Sequence, residues 1–123
     1  MKLWFVAGAI CMALAVALGA FGAHGLKNRL PADLLAIYHT GVEYHIYHAL
    51  GLLLVGVIAG VYPTASGVQW AGGLLLAGIL VFSGSLYALS LSGIRVLGAI
   101  TPLGGLAFIA GWITLAVSVW RAS

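Results

Sequence analysis

Four long apolar stretches alternate with three short polar breaks along the chain. The first covers residues 3–23, twenty-one positions without a charge, which is the length that crosses a bilayer core. Lys2 before it and small residues near Ala20 and Gly22 would also suit a cleaved signal sequence, but the run is longer than a signal core. It predicts a membrane helix, with Ala9, Ala13 and Ala17 at four-residue spacing as a face for close packing. The first break, AHGLKNRLPAD, holds Lys27, Arg29 and Asp33, and Pro31 suits the first turn of a second helix over 32–62 that stops before Pro63. After an uncharged turn, a third helix is predicted over 68–92. Arg95 marks the next break, and a fourth helix over 98–120 tolerates Pro102 near its start. Gly56 and Gly60 fit close helix contacts in lipid, within the bundle or between subunits. The pattern predicts an all-α membrane protein, one domain over 1–123 with four transmembrane helices in an antiparallel bundle.

Composition sharpens this. Of 123 residues 63% are hydrophobic and only 6% charged, against about 25% charged in a soluble domain. A soluble chain this small could not hide so much apolar surface. Five bases against two acids are too sparse for a nucleic-acid footprint, so nucleic acid is not an expected partner. The single cysteine, Cys11, excludes an internal disulfide.

Chemistry concentrates in one stretch, YHTGVEYHIYHALGL at 38–52, which carries three of the four histidines and Glu43, one of two acidic residues. Counting back about twenty residues from Tyr62 places Glu43 near the membrane border. Four crossings put the breaks after the first and third helices on one side, whatever the orientation. His24, Lys27, Arg29, Asp33, His39, Glu43, His45, His48, Ser83, Ser85, Tyr87, Arg95 and Thr101 therefore gather at one end, while the other receives Lys2, Gln69, Arg121 and little else. Basic residues are nearly balanced between the two sides, and the reading adopted is both termini in the cytoplasm. At 100° per residue His39, Thr40, Glu43 and Tyr47 share one face, extended by Tyr44 and His48, with His45 pointing elsewhere. That stripe is expected to face other helices, with Glu43 hydrogen-bonded to His24, Tyr87, Arg95, Thr101 or a helix N-terminus.

Four segments carry a resemblance. GAFGAHGL (19–26), TGVEYHIYHALGLL (40–53), FSGSLY (82–87), and TPLGG (101–105) with Gly111-Trp112 together are similar to the small bacterial membrane family known as domain of unknown function 423, related to the eukaryotic transmembrane protein 256 group. The resemblance covers nearly the whole chain. It implies a four-helix, multi-pass protein of the bacterial inner membrane and no assigned activity. Members often carry more basic residues after the second helix and at the C-terminus than this chain does.

Specific chemistries draw less support. His24, His39 and His48 are weak metal candidates, since no recognised ligand spacing is present, so no metal and no cofactor is expected. Ser83 and Ser85 flank Gly84 without forming a nucleophile elbow, and Asp33 at a helix start suits capping or dipole pairing; no enzyme is expected. The tryptophans are read as bilayer anchors near helix ends. The expected function is binding of a lipid or a partner through the polar cluster of His24, His39, Glu43, Tyr44, His48, Ser83, Tyr87, Arg95 and Thr101. Lys27, Arg29 and Arg95 would meet anionic headgroups, and a homo-oligomer is expected. The alternative is a small oligomeric transporter or proton-coupled carrier using Glu43 and His48.

Overall fold

The computed structural model describes residues 2–122. Helix α1 spans Lys2–His24, α2 Ala32–Val61, α3 Gly67–Gly78, α4 Gly84–Ser92 and α5 Thr101–Ala122. A π-helical turn, Ile79–Ser83, joins α3 to α4, so the two form one continuous rod; a 3₁₀ turn, Arg95–Ala99, precedes α5. The chain is an all-α protein, and its described residues include four helical rods long and apolar enough to cross a membrane. Two elements differ from the sequence pattern. The third span is interrupted by the π turn, and the fourth helix starts at Thr101 because residues 95–99 wind more tightly.

Local chemistry sets the ends. Pro31 precedes α2, and Asp33 stands in its first turn, where a carboxylate favours the positive helix end. Pro63 stops α2 by lacking an N–H and crowding the preceding turn. Gly93 ends α4 in a left-handed conformation, φ 75°, its N–H bonded to the Leu89 carbonyl at 2.7 Å; glycine takes that conformation without steric cost. Pro102 falls in the first turn of α5, where its missing N–H would have no helical partner anyway.

The rods pack as two pairs joined through their middle members. α1 lies along α2, α5 lies along α3, and α2 meets α3, the π turn and α4. The second and third spans bury far more of their residues than the outer two. Apolar side chains do not drive helices together in lipid, so close contact between surfaces matters most. At Gly8 an added Cβ would sit 2.9 Å from the Leu53 backbone nitrogen, and at Gly104 it would strike the backbone of Phe82. The α1–α2 and α5–π-turn crossings therefore require glycine. Gly56 is buried and Gly60 exposed. Ala9, Ala13 and Ala17, the face suited to close packing, are exposed on α1; within the bundle α1 packs on α2 through Gly8, Ala15 and Gly22.

Two cores stack along the rods. Trp4, Leu52, Val55, Ala59, Val68, Ala71, Leu75, Ile79, Phe108 and Leu115 fill the half near the termini, and Leu26, Tyr38 and Val42 fill the half near the breaks.

Candidate functional site

Helix α2 has two chemically distinct faces. Gly41, Val42, His45, His48, Ala49, Gly51, Leu52, Val55 and Ala59 are buried. Ala36, His39, Thr40, Glu43, Tyr44, Tyr47, Leu50, Leu54, Val57 and Val61 are exposed. The His39–Thr40–Glu43–Tyr47 stripe therefore points outward, opposite to the sequence expectation. The glycines and Ala49 lie on the other side, and α2 turns that thin side inward because close backbone approach is what packs helices in lipid.

Glu43 is the clearest correction. No hydrogen bond or ion pair reaches its carboxylate among the described residues, and the partners proposed from sequence are engaged elsewhere. Tyr87 bonds His45, Arg95 bonds Asp33, and Thr101 bonds Ser85. His24 is exposed at the end of α1. Tyr44 is only partly outward, since its ring packs on Phe82 at 4.6 Å between centroids.

His45, expected to point away, instead enters the bundle. Its Nδ1 lies 2.8 Å from the Tyr87 hydroxyl, and which of the two donates depends on the imidazole tautomer. Tyr87 packs against Tyr38 at 5.4 Å, and the Tyr38 hydroxyl donates to the Leu18 carbonyl. One polar chain thus ties α1, α2 and α4 together.

His48 makes a second link. Its ring stacks on Phe108 with centroids 3.5 Å apart and planes at 11°. The Trp112 indole N–H donates to Nε2 at 3.1 Å, and Nδ1 lies 2.7 Å from the Tyr44 carbonyl. Indole only donates and carbonyl only accepts, so the proton is on Nδ1 and the ring is neutral. Ser83, fully buried in the π turn, donates to the Gly41 carbonyl at 2.7 Å. A π turn of this kind often sits at functional positions; here it carries Phe82 against Phe108 and Ser83 against α2.

At the end of the bundle, Arg95 and Asp33 form an exposed ion pair at 2.5 Å that ties the 3₁₀ turn to the start of α2. Asp33 is thus more than a helix-dipole partner. Ser85 donates to the Phe82 carbonyl at 2.9 Å, which leaves the Thr101 hydroxyl to donate to Ser85 Oγ at 2.6 Å. Lys27 and Arg29 are exposed on the break between α1 and α2. His24, His39 and His48 do not converge: two are exposed and the third is buried. Among the described residues no group of three His, Cys, Asp or Glu side chains could hold a metal ion.

Sequence reasoning missed His45, Tyr38, Phe108 and Trp112 as members of the polar and aromatic centre. It also missed the link at the opposite end, where the Trp4 indole donates to Gln69 at 2.7 Å. Trp4 is buried and Trp112 binds His48 in mid-helix, so neither is a simple anchor; Trp70 and Trp120 are exposed. A cavity of about 390 Å³ also opens at the termini end, bordered by Thr64, Ser66, Gly67, Ser118 and Arg121.

The chain has relatives of nearly equal length among known proteins. It is 54% identical over 118 residues to a UPF0382 membrane protein of Bacillus subtilis, covering 96% of each chain. It is 50% identical over 121 residues to a UPF0382 membrane protein of Staphylococcus haemolyticus, covering 98% of each. A similar protein of Staphylococcus saprophyticus is 48% identical over 121 residues, covering 98% of this chain and 99% of its own. No solved structure matches. Residues 18–105 match the model of the family described as "Protein of unknown function (DUF423)"; the chain is a membrane protein and belongs to that family.

Proposed function

We propose that the protein is a non-enzymatic, multi-pass protein of the cell's inner (plasma) membrane that binds anionic lipid headgroups at the end bearing the α1–α2 and α4–α5 connections. The observation that carries this reading is an imbalance of charge. Arg95 at that end is neutralised by Asp33. Lys27 and Arg29, two positions apart, are exposed, and no ion pair reaches them among the described residues. Each basic side chain near an anionic surface contributes roughly 1 kcal/mol of attraction. The carrier reading has less support, because both ring nitrogens of His48 are engaged and Glu43 lies on the opposite, exposed face of α2.

Native mass spectrometry of protein released from mixed phosphatidylglycerol–phosphatidylcholine nanodiscs tests this. Preferential retention of phosphatidylglycerol is expected, reduced several-fold in a Lys27→Gln/Arg29→Gln double variant and unchanged in Arg95→Gln. Equal retention of the two lipids, or a double variant that behaves like wild type, would overturn the reading.

A further inference from the structure

The cavity of about 390 Å³ at the termini end is built on one close contact. Gly67, the first residue of α3, meets Ser118 of α5 so tightly that a Cβ there would overlap Ser118 Oγ. Around that contact Thr64, Ala65 and Ser66 of the α2–α3 loop and Val117 and Arg121 of α5 form the walls. The space is far larger than the roughly 30 Å³ share of one water. It falls in the range of pockets for small organic ligands, about 300–1,000 Å³.

The polar groups on these walls are unused by the fold. Arg121 is exposed, and no hydrogen bond or ion pair reaches its guanidinium among the described residues. Ser66 stands at the N-cap of α3, yet its hydroxyl makes no capping bond. The Ser66 and Gly67 N–H groups have no backbone acceptor among the described residues. Ser118 differs, since it donates to the Thr114 carbonyl at 2.6 Å and so presents only an accepting oxygen to the cavity. Both acidic side chains of the chain, Asp33 and Glu43, belong to the other half of α2. The nearer, Glu43, is roughly 28 Å along the helix from Tyr62 at helical rise. No acidic side chain therefore opposes an anion in this cavity.

We propose that the cavity binds the phosphate ester of a small polyol, such as a glycerol phosphate, free or as a phospholipid headgroup. The planar fork of Arg121 matches two phosphate oxygens, and the Thr64 and Ser66 hydroxyls donate to the others. Ser118 Oγ accepts from a hydroxyl of the polyol, whose carbons meet Ala65 and Val117. A simple carboxylate would engage the fork but leave Ser118 and most of the volume unused. A choline headgroup brings no hydroxyl for Ser118 and sets a second cation near Arg121. The site lies at the opposite end of the bundle from Lys27 and Arg29 and does not depend on them.

Isothermal titration of the full chain in a maltoside detergent tests this, in a Lys27→Gln/Arg29→Gln background that removes headgroup binding at the other end. The probes are dihexanoyl phosphatidylglycerol, glycerol phosphate and dihexanoyl phosphatidylcholine. Binding of phosphatidylglycerol alone would support the cavity as a headgroup site, and binding of glycerol phosphate as well would support a soluble ligand. Arg121→Gln should weaken binding several-fold and Arg121→Lys less, because an ammonium keeps the charge without the fork. Ser66→Ala should weaken it too, and its uncapped hydroxyl makes that variant neutral for folding. Lys2→Gln, at the same end but outside the cavity, should bind like its parent. Melting temperatures report that each variant is folded. The proposal would be overturned by the absence of binding of either phosphate ester, or by phosphatidylcholine binding as tightly as phosphatidylglycerol. A folded Arg121→Gln variant that binds like its parent would do the same. Headgroup binding at Lys27 and Arg29, read from the difference between wild type and this background, fails or survives independently.

Discussion

The indole N–H of Trp112 donates to Nε2 of His48 across 64 positions of sequence. This bond joins the two halves of the bundle at a depth where water is scarce, and it fixes the tautomer of a ring that also stacks on Phe108.

Replacing Trp112 by Phe should therefore cost more than the loss of one hydrogen bond. It leaves a buried acceptor without a donor, worth about 1–3 kcal/mol. His48→Phe leaves the Trp112 N–H without an acceptor but keeps the stack on Phe108, and is expected to be milder than His48→Ala, which loses both. Thermal melting in one detergent should place all three variants below wild type and His48→Phe above His48→Ala.

Gly104 provides a sharper steric test. A Cβ there meets the Phe82 backbone, which cannot rotate aside, whereas nothing lies within 4 Å of a Cβ at Gly73 or Gly84. Gly104→Ala should lower the melting temperature clearly, and Gly73→Ala and Gly84→Ala should leave it within experimental scatter or raise it slightly through helix propensity.

Glu43 should behave in the opposite way to a core residue. Because no intrachain bond reaches it, Glu43→Ala should not lower the melting temperature of the monomer in dilute detergent. His45→Ala should, since it removes the partner of the half-buried Tyr87 hydroxyl. Comparable losses for the two variants would mean that Glu43 has an internal partner after all.

Topology has its own check. Cysteines at positions 29 and 95 in a Cys11→Ala background should label with a membrane-impermeant maleimide from the same side. The Asp33–Arg95 pair is exposed, and such pairs contribute roughly 0–1 kcal/mol, so removing Arg95 for this purpose should leave folding intact.

The helices were legible because bilayer thickness fixes their length and charges are confined to the breaks. The residues of the polar centre were not, because a helical wheel groups side chains by angle and does not say which angle faces inward. Polarity suggested that the Thr40–Glu43–Tyr47 stripe turned in. The usable signal was the placement of Gly41, Ala49 and Gly51, which share the side of His45 and His48 and mark where another helix comes close. The bond from Trp112 to His48 had no local sign at all, since it depends on how α5 crosses α2. Similarly, no composition cue in ILVFS distinguished a π turn from an α turn.

The seam between the two helix pairs changes character along its length. Near the termini it is apolar, through Val55, Ala59, Val68 and Leu75; toward the breaks it is crossed by Ser83–Gly41, His45–Tyr87 and Trp112–His48. Apolar contacts tolerate sliding, while directional bonds accept one alignment only. Two fragments severed within the short loop at 62–66 and expressed together should consequently recombine in a single register, with the hydrogen-bonded end acting as the key and the greasy end merely as the handle.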